Sequence, residues 1–327
     1  MSNPIFILGS ARSGTSLLSR IIDSHPNIGV PFESQLYNTF YPWLKYYGDL
    51  SDIKNQCLLL KDILLTDPMQ GWDPKPDLDE TLNNVTRTTF DGLVEALIGA
   101  WAKKRNKKRW GEKTPWHVYY WREILNGFPD AKFIHIVRDG RDASMSWKAA
   151  RFGPKHIYPL AKKWRNYLDV VTEFEKEVSP SALYELRYED LLDNPEGIAR
   201  EICTFVGEEY SEEMLNFYKN PALYPTDKGN EKNLTKPLMN SNKDKWKLLL
   251  NKGDREIFES VAGHYLDKYS YEREFENPKV SGVYKKFVSY CLHPLLRIKS
   301  MIKNKKGHRD GLIRIFIYLR LRLRNIL

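Results

Sequence analysis

The stretch Gly9, Ser10, Ala11, Arg12, Ser13, Gly14, Thr15, Ser16 has the composition of an anion-binding loop. A glycine-bearing turn ahead of a helix points successive backbone N–H groups at one spot, and the helix N-terminus adds partial positive charge there. The glycine spacing matches the nucleotide-triphosphate pattern G-x-x-x-x-G-K-[ST], but Thr15 stands where that pattern has its lysine. The missing lysine argues against a triphosphate and so against a kinase or an ATPase. The loop carries its own cation instead, Arg12, whose planar guanidinium can fork onto the oxygens of a smaller phosphate-like anion. A second polar cassette follows later: Val137, Arg138, Asp139, Gly140, Arg141, Asp142, then Ser144 and Ser146. An Arg at the carboxyl end of a parallel strand lies on the ligand-binding edge of such a sheet, and Ser146 falls within two turns of the next helix.

The elements that must position these groups are legible in the hydrophobic pattern. Ile5 to Leu8 is a short apolar run of the buried-strand kind, and Leu17, Leu18, Ile21 and Ile22 recur at helical spacing. Residues 132–137 and 182–188 predict two more buried strands. Helices are predicted over 116–125, 142–150, 161–176 and 254–268. Strands alternating with helices predict an α/β fold, a central parallel sheet flanked by helices. Residues 34–130 read as mostly helical, with 34–110 as the acceptor side and the basic run Lys103 to Arg109 as a solvated face, and 219–242 read as a long loop.

Together the two cassettes resemble the sulfotransferases that use 3′-phosphoadenosine 5′-phosphosulfate (PAPS), nearest to the branch of the protein-tyrosine sulfotransferases and their bacterial relatives. The resemblance spans about residues 4 to 278 and implies a P-loop, nucleotide-kinase-like fold. It implies that Arg12, Ser13, Gly14, Thr15 and Ser16 hold the 5′-phosphosulfate and that Arg138 and Ser146 hold the 3′-phosphate. Tyr188, opening Tyr188, Glu189, Asp190, Leu191, is implied at the nucleotide. Lys236, before Pro237 and ahead of Lys245 and Trp246, is implied as a closing residue. Arg12 and Lys113 are the implied cations at the leaving phosphate. Glu33, 21 residues after Arg12, is the implied general base, with His117 as a rival four residues after Lys113 on an expected helix face. Transfer of a sulfuryl group, like that of a phosphoryl group, is mostly positioning and charge stabilisation plus a base for the acceptor proton. Arg and Lys supply that charge here, so no metal is expected.

The acceptor is expected to be a hydroxyl or amine, by preference on a carbohydrate or glycolipid, with a peptide tyrosine as the alternative. Tyr37, Phe40, Tyr41, Trp43, Tyr46, Tyr47 and Trp72 are candidates to stack on it, each equally able to be core. A further alternative, a non-catalytic nucleotide-binding scaffold at the membrane, is disfavoured by Arg12, Glu33 and Lys113 occurring together.

Charge divides the 327 residues in two. The net charge is +9, yet residues 279–327 hold thirteen Lys and Arg against Asp310 alone, while residues 1–278 sum to −3. The division predicts a catalytic domain, 1–278, and a basic amphipathic segment, 279–327. A nucleic-acid binder carries its positive face on the folded domain, so no nucleic-acid partner is expected. Apolar runs mixed with Arg and Lys suit an anionic membrane surface, although the Leu–Arg alternation over 319–324 also fits a strand. Three scattered cysteines, no apolar N-terminal leader and no long apolar run predict a cytoplasmic protein, peripheral on the inner membrane face.

Overall fold

In the computed structural model, residues 3–150, 153–219, 234–303 and 308–324 are described. Five strands form one parallel sheet: β1 (Ile5–Leu8), β2 (Ile28–Gly29), β3 (Arg109–Lys113), β4 (Lys132–Val137) and β5 (Leu183–Arg187), in the order β2-β3-β1-β4-β5. Alternation along the central strands divides the core. Phe6, Leu8, Phe133 and Val137 enter one apolar cluster, with the helices Phe90–Lys104, Ile157–Glu177 and Lys252–Lys268. Ile5, Ile7, Ile134 and Ile136 enter the other, with the helices Thr15–Asp23 and Pro195–Val206. Both faces are covered, which is why these strands read as unbroken apolar runs.

The strand order also fixes where a ligand must lie. The chain leaves β1 towards β2 on one side and leaves β4 towards β5 on the other, while β1 and β4 are neighbours. Two diverging connections open a crevice at the carboxyl ends of that pair. Its two walls are the loop after Leu8 and the loop after Val137.

Several expectations need correction. The basic run is a solvated face only in part, since Lys103, Lys104 and Lys108 are exposed while Arg105, Lys107 and Arg109 turn inward; β3 within the expected helical region is a strand; and β5 is the half-exposed edge of the sheet rather than a buried strand. Arg105 pairs with Asp23 at 2.6 Å, Lys107 donates to the His25 carbonyl at 2.6 Å, and Arg109 is buried and donates to the Asn3 and Val206 carbonyls. β3 carries Arg109, Glu112 and Lys113 in the interior, and each charge has partners there, so a pattern that treats charge as surface misses the strand. Residues 319–324 are helical rather than extended, within His308–Arg324, where Leu–Arg alternation places one leucine inward and the next outward.

Candidate active site

The loop after β1 folds tightly because Arg12 (φ 74°) and Gly14 (φ 94°) both take left-handed backbone conformations. Gly14 is the residue before the helix Thr15–Asp23. A Cβ there would lie 2.4 Å from Cδ2 of Tyr188, so glycine answers both the dihedral and the close approach of the ring. Ser13 N–H closes the turn onto the Ser10 carbonyl at 3.0 Å, and Gly9 N–H donates to the Tyr167 hydroxyl at 2.7 Å. Ser13 is buried, and its Oγ has no hydrogen-bond partner among the described residues.

The second wall meets the first directly. Arg12 Nε donates to Ser146 Oγ at 3.0 Å, and Arg138 donates to the Arg12 carbonyl at 3.3 Å and to the Asn242 carbonyl at 2.7 Å. The Arg138 guanidinium lies 4.5 Å from the centre of the Tyr188 ring and 3.6 Å from Asp142. Burial pushes the Asp142 carboxyl up, opposed by Arg138 and by the Trp246 N–H. Asn242 Nδ2 donates to the Tyr188 hydroxyl at 2.7 Å. Arg138 Nε is buried and unpartnered among the described residues, a donor aimed at no protein acceptor. Arg141 of the same cassette turns away: it is buried, bonded to Asp139 and Glu259, and stacked 3.5 Å over Trp246.

These groups line a cavity of about 610 Å³, within the roughly 300–1,000 Å³ usual for small-molecule sites. Arg12, Gly14, Thr15, Ser16, Glu33, Arg138, Ser146 and Tyr188 of the expected set all reach it. Leu192, Phe217, Leu234, Pro237 and Leu238 give an apolar wall fit for a flat base, and Asn242 and Lys245 add polar groups. Lys236 is exposed and does not line the cavity, whereas the adjoining Pro237 does. Residues 220–233 of the expected loop lie outside the described residues.

Lys113 is at the end of β3, not on a helix, and is fully buried. Its Nζ is 2.8 Å from Glu33 Oε1 and 3.3 Å from Ser16 Oγ, and it packs 5.1 Å from the Phe32 ring. The expected cation and the expected base are thus one ion pair beside the anion loop. His117 is elsewhere. Its Nδ1 is 2.7 Å from Glu112 and its Nε2 accepts the Tyr37 N–H, so both ring nitrogens are engaged in the interior and neither faces the cavity. Glu112 also accepts from the Ser34 and Thr114 hydroxyls. Burial pushes its carboxyl up, but His117 and those hydroxyls outweigh this and hold it below the ordinary range. This network fixes the backbone after Glu33 and on both sides of Lys113.

Among the aromatic acceptor candidates, Tyr37, Phe40, Tyr47 and Trp72 are buried core, Tyr41, Trp43 and Tyr46 pack against it, and none lines the cavity. Asn242 and Phe32 do line it and were not foreseen. Phe32 lay next to a residue already singled out, but Asn242 reaches the crevice from more than a hundred residues beyond Arg138.

A parallel sheet with an anion loop at its switch point and a second basic cassette across the crevice defines a nucleotide-type transferase scaffold. The profile of the sulfotransferase family matches residues 4–212, and the chain belongs to that family. It is similar to an uncharacterised protein of Aquifex aeolicus, 26% identical over 81% of this chain, and spans 34% of that protein's length. It is 26% identical, over 84% of this chain and 77% of the relative, to the omega-hydroxy-beta-dihydromenaquinone-9 sulfotransferase of Mycobacterium bovis. A putative protein-tyrosine sulfotransferase of Caenorhabditis briggsae is 25% identical over 66% of this chain and 69% of its own length. The sulfotransferase domain from the curacin biosynthetic pathway shares the fold, with a TM-score of 0.58 at 18% identity over 84% of this chain and 99% of that domain.

Proposed function

We propose that the protein transfers the sulfuryl group of PAPS to an acceptor hydroxyl. The observation that carries the reading is the single cavity joining the Arg12–Ser16 loop to Arg138 and Ser146, with the Glu33–Lys113 pair at its side. The loop N–H groups, Ser13 and Ser16 suit the 5′-phosphosulfate. Arg138, with Ser146, suits the 3′-phosphate, and Tyr188 and the apolar wall suit the base. In the transfer the acceptor oxygen bonds to sulfur as the bond from sulfur to the bridging phosphate oxygen breaks. The acceptor proton goes to the Glu33 carboxylate, and the negative charge left on the phosphate is met by Lys113 and Arg12. His117 is assigned a positioning role, since its nitrogens are already spent.

A lipid-borne hydroxyl is the preferred acceptor, supported by the dihydromenaquinone in the mycobacterial relative's name, in place of the carbohydrate or glycolipid expected from the sequence. A peptide tyrosine is the second reading, supported by the nematode relative. A cytoplasmic location is supported by the free state of Cys57, Cys203 and Cys291. Glu33→Gln tests the mechanism. Turnover of labelled PAPS is expected to fall about a hundredfold or more, with calorimetric affinity for adenosine 3′,5′-bisphosphate retained. Near wild-type turnover would remove Glu33 as the base. Offering extracted lipids, glycans and peptides in the same labelled assay identifies the acceptor.

A further inference from the structure

The helix His308–Arg324 has two apolar faces, and docking uses only one. Ile317 and Leu321 are buried in the main core, and from the same side Arg314 donates to Gln35 and Thr39 while Tyr318 stacks 4.3 Å from Trp43. Leu312, Ile315, Phe316, Leu319 and Leu323 follow the spacing i, i+3, i+4, i+7, i+11 and form the opposite face, each 55–66% exposed.

Charge decides what covers that stripe. Arg309 and Arg322 flank it and are exposed. The one acid of the helix, Asp310, is turned inward, where it accepts the Asp67 N–H and pairs with Arg314 at 2.7 Å. A second copy of the chain would bring like charge against like. An anionic bilayer offers opposite charge at its surface and an apolar layer for the stripe. The helix also touches the cleft. Gln35, held by Arg314, lines the cavity two residues from Glu33, and its N–H bonds to Thr114, beside the cavity residue Pro115. Trp116 and Tyr119, which follow Pro115, are 47% and 43% exposed with their rings 5.6 Å apart and tilted by 36°, and such amphipathic rings favour a membrane interface.

We infer that the outer face of His308–Arg324 seats the protein on an anionic phospholipid bilayer, next to the acceptor side of the cleft. This stands apart from the donor reading. The test is co-sedimentation of the full chain with vesicles of phosphatidylglycerol and phosphatidylcholine, against phosphatidylcholine alone. Binding is expected only to the anionic vesicles and is released by salt. The variant L312E/F316E/L319E is expected to lose at least tenfold of that binding, with unchanged affinity for adenosine 3′,5′-bisphosphate. R309E/R322E, which leaves the stripe apolar, is expected to lose the preference for anionic vesicles. Absence of wild-type binding, equal binding by both variants, or a stripe-dependent dimer in sedimentation velocity would overturn the inference. Failure of the sulfotransferase reading shows separately, as absent nucleotide binding in vesicle-free calorimetry.

Discussion

Arg138 divides its guanidinium between holding the two walls of the crevice together and facing the cavity. Two of its nitrogens bond to the Arg12 and Asn242 carbonyls, while Nε is left without a partner among the described residues. If that edge meets the 3′-phosphate, Arg138→Ala should weaken adenosine 3′,5′-bisphosphate binding by roughly 10- to 150-fold, the equivalent of about 1.5–3 kcal/mol for charge-assisted hydrogen bonds. Isothermal calorimetry checks it, and unchanged affinity would contradict the placement. Arg12, Gly14, Arg138, Ser146 and Tyr188 were legible because each lies in a short local motif. Asn242 was not singled out, although the resemblance implied that its segment, between Lys236 and Lys245, closes over the nucleotide. The rivalry of Glu33 and His117 was also undecidable from the sequence. It rested on motif spacing alone, whereas the structure sets Lys113 against Ser16 and Glu33 and holds His117 against Glu112 in the interior.

At the scale of the element, the loop after β1 illustrates how a turn is dictated from outside. Gly14→Ala would impose a Cβ on a φ of 94° and on the Tyr188 ring at 2.4 Å. Gly207→Ala imposes the same kind of dihedral, φ 77°, in open space. Strain alone costs about 1–3 kcal/mol, so both should lower the urea midpoint. Only the Gly14 variant should also lose nucleotide affinity, because Tyr188 must move. Equal nucleotide affinity in the two variants would detach Gly14 from the site. The apolar strands β1 and β4 and the long helices were readable from periodicity, and β5 was readable as a strand though not as a half-exposed edge. β3 was not, because its Arg, Glu and Lys are buried with partners supplied from Ser34, Glu33 and the Asn3 carbonyl, all distant in sequence.

Over the whole molecule, the partition of charge along the chain suggested a basic segment set apart from a neutral domain, and the packing joins them. Leu321 is fully buried, whereas Leu319, two residues earlier in the same alternation, is 58% exposed. Leu321→Ala should therefore cost about 2–5 kcal/mol, and Leu319→Ala should stay within about 0.5 kcal/mol. Chemical denaturation of the two variants measures both, and equal midpoints would show the helix undocked in solution. Composition reported the charge of this segment correctly but not its seat, because the residues that receive it, Gln35, Thr39, Trp43 and Asp62, look like any other core or turn positions.

Those receiving residues share an address. All lie in the long excursion between β2 and β3, whose two ends are cinched together: Ile28 pairs with Arg109, and the Lys108 and Arg109 N–H groups both close onto the Asn27 carbonyl. Yet the excursion is no appendage of the sheet: it brings Phe32, Glu33 and Gln35 to the cavity and packs the helix Phe90–Lys104 in the same apolar cluster as Phe6 and Phe133. Because the final helix is seated on Gln35, a lining residue, loosening that seat would reach the cleft wall directly, and on the proposed reading the hold on a bilayer and the entry of the acceptor would vary together.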